Sequence, residues 1–518
     1  MAQVQFSFDD LKELVDVRKE LAVETLSMLG FPTEIMEDGG LNVEVTPNRP
    51  DALCVEGVAR VLRCYMSGKP AEYGIGKPEI EAIVDKSVAD VRPAFGCAVV
   101  RGVRMTGALL RSLMQLQEKL HETLGRKRRK VAIGIHDLDK VKPPFKYYAC
   151  GREEVKFVPL ERAEEMTPLE ILKRHEKGMA YAHLVGEKCP MIVDSKGDVL
   201  SFPPIINGEL TKLTEQTKNI FIDTTGTSRD AVRQAVSIVA SILAERGGKL
   251  EQVKLDREPY PLLQEQKWAL PVKESERLLG VKLTHAEVAE FLSKMGHRIS
   301  GNTVHVPGYR TDIINEVDLI EDVAIGYGFN NFEPSLPGFS SIGGFFPEAA
   351  HHEIMVGLGY DEAITWTLSN PSLSAKANAQ RAHSVEIENP ITEDFTQFRT
   401  SMLPNLLSVL TESKNERLPI RIYEAGPVAA PHLEERLAFC SMHAKASFSE
   451  IKGAVQSIAG SLGMNAVFVQ EEYGTFIPGR CAAILLDGKK IGTMGEVSPE
   501  VLVNFGLEQP VCAAEMKI

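Results

Sequence analysis

At 518 residues the chain is too long for one hydrophobic core, so several domains are expected. A net charge of −13 argues against a protein that binds nucleic acid over its whole surface, and leaves such contact to local basic patches or a partner chain. Eight scattered cysteines without a C-x-x-C pair exclude a zinc ribbon and a disulfide framework, while 44% hydrophobic and 25% charged residues is an ordinary globular composition.

The N-terminus, MAQVQFSFDDLKELVD, puts Asp9 and Asp10 where a secretory leader would carry Lys or Arg and an apolar run. The longest apolar stretch, starting at Val236, is about half a membrane span. These features predict a cytoplasmic protein with reduced thiols and no membrane segment.

Two segments, Leu26 to Tyr65 and Leu292 to Tyr327, share one plan. Each reads as a helix closed by Gly30 or Gly296, an alternating strand ended by Pro47 or Pro307, an R-x-D motif, and a second helix ending near Tyr. In the second copy, RTDIINEVDLIEDVAIGYG, the residues Ile313, Val317, Ile320 and Ala324 mark an apolar stripe. Asp318, Glu321 and Asp322 share another face, and Asp312 stands before the helix as an N-cap carboxylate. Aligning Asp51 with Asp312 sets Gly57, Arg60 and Val61 against Asp318, Glu321 and Asp322, so the fold does not require carboxylates at those positions. Such a group is either a solvated acidic face or a Mg²⁺ site, in which some carboxylates stand behind bound water.

Between the copies, GALLRSLMQLQEKLHETLG predicts an amphipathic helix with Leu109, Leu113, Leu116, Leu120 and Leu124 on one stripe and Gly125 as its cap. The cations Arg126 to Lys130 follow, either as a helix exit favoured by the dipole or as a phosphate contact. VAIGIHDLDK reads as a strand and turn in which His136, Asp137 and Asp139 cap rather than ligate. Two polar turns, Asn207-Gly208 and Asp223-Thr224-Thr225-Gly226, follow β-rich runs; they can line a pocket or simply supply turn chemistry. A helix over 229–246 is stopped by Gly247-Gly248, and LDREPYPLLQEQK reads as a linker. The Gly-, Pro- and Ser-rich stretch Ser335 to Ala349 marks another boundary. HHEIM fails as a zincin motif because Val356 replaces the second histidine, and neither a phosphate-binding Gly-rich loop nor a nucleophile elbow occurs.

Taken together, LNVEVTPNRPDALCVEGVARVL, KLHETLGRKRRKVAIGIHDLDK, LSFPPIINGE with FIDTTGT, PGYRTDIINEVDLIEDVAIGYGF and FIPGRCAAILLDGKKIGTMGEVSPEV resemble the β subunits of phenylalanyl-tRNA synthetase of the archaeal and eukaryotic type. The resemblance spans almost the whole chain in the family's order. It implies an α+β multidomain fold: an N-terminal module over 1–80, an editing-type α/β domain over 82–258, a metal-binding module over 268–334, and an antiparallel class II synthetase-like core over 345–518. IRIYEAGP, with Arg421 and Glu424, matches that core's motif 2 strand, but its G-x-G-x-x-R ending is absent, so this core is expected to lack its own ATP site. The implied partners are an α subunit, which binds ATP and phenylalanine in an α₂β₂ tetramer, and the phenylalanine tRNA. The modules that flank this core in bacterial β subunits are not expected here.

By the same resemblance Asp312, Asp318, Glu321 and Asp322 are the Mg²⁺ ligands. Asp223, Thr225 and Asn207 line a site that hydrolyses tyrosine wrongly attached to the tRNA. Arg126 to Lys130 is the chain's phosphate contact. A free-standing deacylase and a scaffold with a decayed pocket are the other readings.

Overall fold

The structure is a computed structural model that describes residues 2–336, 338, 343–344, 350–379, 383–429 and 432–518. It divides into two compact units, Met1–Leu336 and Pro337–Ile518.

The first unit opens with a three-stranded antiparallel sheet of β1 (Ala2–Phe6), β2 (Thr33–Ile35) and β3 (Leu41–Val45), in the order β1-β3-β2. Helices α1 (Phe8–Leu14), α2 (Lys19–Met28) and α3 (Val55–Ser67) accompany it. The period-two pattern of LNVEV buries Leu41, Val43 and Val45. Gly30 takes the left-handed conformation (φ +83) just past α2, as the helix-stop reading required.

A ten-stranded sheet follows. Its strands are β4 (Ile75–Val84), β5 (Ala94–Arg101), β6 (Val131–Asp137), β7 (Phe145–Gly151), β8 (Lys188–Val193), β9 (Val199–Phe202), β10 (Ile206–Asn207), β11 (Ile220–Gly226), β12 (Lys249–Leu255) and β13 (Glu258–Pro259). Its order is β10-β9-β8-β7-β4-β12-β5-β11-β6, with β13 paired to β12. The helices of this part are α4 (Gly107–Glu122), α5 (Pro168–Arg174), α6 (Glu176–Tyr181) and α7 (Arg229–Glu245). The stripe Leu109, Leu113, Leu116 and Leu120 of α4 joins Ile220 and Ile222 of β11 and Val239 of α7 in one core. On the other face of β11, Phe221 packs with Val99, Phe145 and Leu200.

Three expectations change here. Asp223 to Gly226 is not a turn but the interior of β11, flanked on both sides, with Asp223 opposite Cys97 and Gly134. Helix α4 ends at Glu122, and its left-handed exit is taken by Arg126, Lys127 and Arg128 (φ 48, 54 and 65) rather than by Gly125. Gly125 is required for closeness instead, since a Cβ there would lie 2.7 Å from the carbonyl oxygens of His121 and Val131. The stretch read as a linker buries Tyr260 and Leu262 in the same core as α7.

The second copy comprises β14 (Gln266–Ala269), α8 (Val272–Leu279), α9 (His285–Lys294), β15 (Arg298–Ser300), β16 (Thr303–Val306) and α10 (Glu316–Tyr327), with sheet order β14-β16-β15. Gly296 (φ +89) matches Gly30.

The two R-x-D motifs meet at the junction of the copies. Arg49 holds Asp51 through two hydrogen bonds of 2.8 and 3.0 Å, and Arg60 reaches Asp51 from α3 at 3.4 Å. In the second copy Arg310 holds Asp312 and Asp322, both at 2.7 Å. The Arg60 guanidinium also lies 3.8 Å from the centre of the Tyr309 ring, so the copies interlock. Burial alone would push the Asp51 and Asp322 carboxyls up. The arginines outweigh it, holding Asp51 well below the carboxylate range and Asp322 at about 2.

The second unit contains α11 (Ala350–Gly357), β17 (Asp361–Glu362), β18 (Leu368–Ser369), α12 (Pro371–Lys376), β19 (Gln397–Phe398), α13 (Leu403–Glu412), β20 (Ile420–Ala429), β21 (Leu433–Met442), α14 (Phe448–Ser461), β22 (Ala466–Gln470), β23 (Phe476–Leu486), β24 (Lys489–Val497), α15 (Pro499–Phe505) and β25 (Val511–Lys517). A seven-stranded sheet runs β17-β20-β21-β25-β24-β23-β22, antiparallel except where β17 joins β20. On β20, Glu424 is buried against Arg399 at 2.6 Å, and Arg421 reaches Glu450 at 3.3 Å. The boundary stretch 335–349 lies largely outside the described residues.

Breaking the junction should cost stability. Asp322→Asn leaves Arg310 with an excess buried charge, and roughly 3 kcal/mol should be lost in urea denaturation of the chain. Exposed Glu321→Gln, in magnesium-free buffer, should change it by less than about 0.5 kcal/mol.

Candidate functional site

A cavity of about 190 Å³ lies among α4, β6, β11 and the segment 201–213. Strand alternation puts Asp223 and His136 on the same side of their paired strands as Gly134, the residue opposite Asp223. Asp223 Oδ2 sits 2.6 Å from His136 Nε2, and His136 Nδ1 sits 2.8 Å from Thr211 Oγ1. All three residues are buried. A Cβ at Gly134 would lie 2.1 Å from Asp223 Oδ2 and 2.5 Å from His136 Nε2, so only glycine leaves the pair its space. Among the described residues Asp223 Oδ1 has no hydrogen bond, and Asp223 forms part of the cavity wall.

Of the expected site residues, Asp223 and Asn207 both line this cavity, and Thr225 does not. Two residues further along the strand, Thr225 Oγ1 accepts a hydrogen bond from Arg92 Nε at 2.9 Å. Arg92 also donates to the carbonyls of Thr225, Arg128 and Arg129 at 2.8 to 3.1 Å. Burial lowers this guanidinium to about 10, and no carboxylate pairs with it among the described residues. It ties Thr225 to the left-handed turn.

That turn splits the basic cluster by direction. Arg126, Lys127 and Arg129 face solvent. Arg128 turns inward, donates to the carbonyls of Pro204 and Ile205 at 3.2 and 2.7 Å, stands 4.7 Å from the Tyr181 ring centre, and lines the cavity.

Three buried polar atoms of cavity-lining residues have no hydrogen-bond partner among the described residues: His121 Nδ1, Arg128 Nε and Ser201 Oγ. Native interiors rarely leave such groups unanswered, so the wall suits a polar ligand. His121 Nε2 accepts from the Ile133 N–H at 2.9 Å, which leaves the ring proton on Nδ1. Burial first, then Arg128, Arg92 and Lys177, hold its pKa well below the ordinary histidine value.

The acidic helix is arranged differently from its sequence reading. Asn315, not Asp312, caps α10, and Asp318 Oδ2 completes the cap by accepting from the N–H groups of Ile314 and Asn315 at 2.7 Å. Asp312 and Asp322 are committed to Arg310, and Asp322 Oδ2 also meets His297 Nε2 at 2.6 Å. Glu321 alone is exposed, and burial of its carboxyl, followed by the charges of Asp322, Asp318 and Asp312, pushes its pKa up. No group of three or more His, Cys, Asp or Glu among the described residues is arranged to hold a metal ion. The four carboxylates are therefore divided: Asp312 and Asp322 meet the positive charge of Arg310, while Asp318 caps α10 and Glu321 faces solvent.

Three family models match: the phenylalanyl tRNA synthetase beta chain CLM domain over residues 348–518, the tRNA synthetase B5 domain over 268–329, and the B3/4 domain over 112–255. A phenylalanine–tRNA ligase beta subunit from Methanothrix thermoacetophila is 41% identical over 538 residues, covering 100% of both chains. The chain belongs to the phenylalanine–tRNA ligase beta subunit family. The homologue from Archaeoglobus fulgidus is also 41% identical, over 100% of this chain and 98% of its own. An N-terminal fragment of the Pyrococcus horikoshii phenylalanyl-tRNA synthetase beta subunit is similar in structure, with TM-score 0.59 and 36% identity. It covers 63% of this chain and 99% of its own. Among the described residues no helix is long and apolar enough to cross a membrane.

Sequence reasoning gave His136 a capping role, whereas it bonds Asp223 and Thr211, and it passed over Thr211, His121 and Arg92. The available signal was period two along VAIGIHD, which puts Gly134 and His136 on one face. The capping role expected nearby falls to Asp137, whose side chain accepts from the Asp139 N–H at 3.2 Å.

The depressed His121 sets a pH response. The unfolded chain takes up a proton below about pH 6.5 and the folded chain does not, so this contribution is present above that pH and lost as pH falls. Between pH 6.5 and 5, wild type should lose stability relative to His121→Asn with a slope approaching ~1.4 kcal/mol per pH unit in urea titrations.

Proposed function

We propose that this chain works with an alpha subunit to attach phenylalanine to its tRNA in the cytoplasm, ATP and phenylalanine being bound mainly by that subunit in an α₂β₂ tetramer. We further propose that its ten-stranded domain hydrolyses tyrosine wrongly attached to that tRNA. One observation carries the editing reading. Beside Oδ1 of Asp223, which like them has no hydrogen-bond partner among the described residues, a cavity wall carries three buried polar atoms.

The chemistry follows from what a phenylalanine pocket cannot do. A pocket shaped for phenyl rejects an added hydroxyl poorly, whereas a second site built to bond that hydroxyl rejects the analogue lacking it by about 10⁴ to 10⁵. Asp223 Oδ1 accepts the hydrogen bond of the tyrosyl phenol, and Asn207 closes the neighbouring wall. His121 Nδ1–H and Arg128 lie on the same wall as donors for the ester end, and water completes the hydrolysis. Thr225 acts from behind the wall, through Arg92, on the turn that carries Arg128. The outward cations Arg126, Lys127 and Arg129 meet the phosphates of the tRNA strand that delivers the ester. In the assembled ligase Asp223→Ala should slow tyrosyl-tRNA hydrolysis at least about 100-fold, the loss of a charged hydrogen bond in a water-poor site. A matching loss of phenylalanine attachment would instead report damaged folding.

For magnesium we propose a reduced site. Glu321 and Oδ1 of Asp318 supply the oxygens, water supplies the rest, and Asp312 and Asp322, paired with Arg310, contribute charge nearby. Magnesium favours one or two carboxylates with several waters. Calorimetric titration of the purified chain with MgCl₂ should show binding that Glu321→Gln removes; an unchanged isotherm would place magnesium elsewhere.

A further inference from the structure

We propose that His136 is a positioning residue for Asp223, and that Thr211 fixes its tautomer; this rests on the editing reading above. A carboxylate oxygen can only accept, so the 2.6 Å contact requires a proton on His136 Nε2. The other ring nitrogen decides whether the imidazole is neutral. Thr211 Oγ1 has one proton and three acceptors in reach: His136 Nδ1 at 2.8 Å, the Gly208 carbonyl at 3.3 Å and the Leu200 carbonyl at 3.5 Å. The shortest contact takes the proton. His136 is then a neutral imidazole with Nδ1 accepting from Thr211 and Nε2–H donating to Asp223.

This arrangement does two things to the carboxylate. It occupies Oδ2 from inside the domain, so the oxygen left for a ligand is Oδ1. It also fixes the carboxylate plane, since Oδ2 is held by the imidazole and the space opposite is kept clear by Gly134. His136 is fully buried, so no water can replace its donor from solvent. Asp223 therefore presents one oriented acceptor to the cavity, and a phenol is favoured over a phenyl ring by the geometry of that single bond. His136 touches no substrate atom; it acts through Asp223.

The test uses the assembled ligase and measures hydrolysis of tyrosyl-tRNA and phenylalanyl-tRNA side by side, with melting temperature. His136→Phe removes the Nε2–H donor, and the ratio of tyrosyl to phenylalanyl hydrolysis should fall at least about 10-fold. His136→Gln, whose amide can donate to Asp223, should recover part of the ratio. A native-like melting temperature with the wild-type ratio retained in His136→Phe would overturn the inference while leaving the editing reading standing. Equal loss of both hydrolyses with the ratio unchanged also overturns it, since that is what a purely structural residue gives. If His136→Phe does not fold, Thr211→Val decides: a reduced ratio supports the relay, and an unchanged one overturns it. Wild-type ligase that hydrolyses neither ester overturns the editing reading, and this inference with it.

Discussion

The first unit depends on a charge balance hidden between its two repeat copies. Arg49 and Arg60 face Asp51 in one copy, while Arg310 faces Asp312 and Asp322 in the other. One copy carries a surplus positive charge and the other a surplus negative one, and both surround a small void lined by Arg49, Asp51, Arg60 and Arg310. Neither surplus is tolerable alone in a dry interior, where an uncompensated charge costs several kcal/mol. Brought together they cancel, and burial holds His297, beside Asp322, below the ordinary histidine value so that it adds no charge. The consequence reaches the cavity. Arg60 donates to Ser241 on α7 at 2.9 Å, and α7 covers the face of β11 whose Thr224 reaches the Val232 carbonyl at 3.3 Å. The strand that carries Asp223 is thus positioned from the junction through one helix.

Strand β11 shows how a polar sequence becomes a central strand. Ile220, Ile222 and Thr224 turn toward α7; Phe221, Asp223 and Thr225 turn the other way. Each polar side chain has a different answer: Thr224 the backbone of β5 and α7, Thr225 the buried Arg92, and Asp223 His136 with one oxygen left over. Of the three, only the last leaves an acceptor beside empty space.

Much of the fold was legible because it follows from local rules. The Gly30 and Gly296 helix stops, the alternation of β3 and the leucine stripe of α4 are properties of short segments, and the structure repeats them. Asp223 to Gly226 misled because polar residues after an apolar run resemble turn chemistry, and nothing local announces that Arg92, 133 residues from Thr225, and His136, 87 residues from Asp223, will satisfy them. On the acidic helix the carboxylates were in view but their protein partners were not. Comparing copies position by position pointed to an ion, and two of the four carboxylates, Asp312 and Asp322, are paired with Arg310 in the fold. Arg310 was in view in the same motif; its second partner, Asp322, lies 12 residues away, well beyond the reach of R-x-D spacing.

The cavity is also where local preference and the global structure disagree most. Three consecutive cationic residues sit in the left-handed region, which costs an L-residue about 1 to 2 kcal/mol each. Arg92 offsets that cost by donating to the carbonyls of Arg128 and Arg129. The same wall leaves His121, Arg128 and Ser201 each with an unanswered polar atom. A core selected for stability alone would remove such atoms or pair them, as the junction pairs its arginines. Their survival around the open oxygen of Asp223 is what a wall shaped for a ligand requires, since groups satisfied inside the protein have nothing left to offer the molecule that enters.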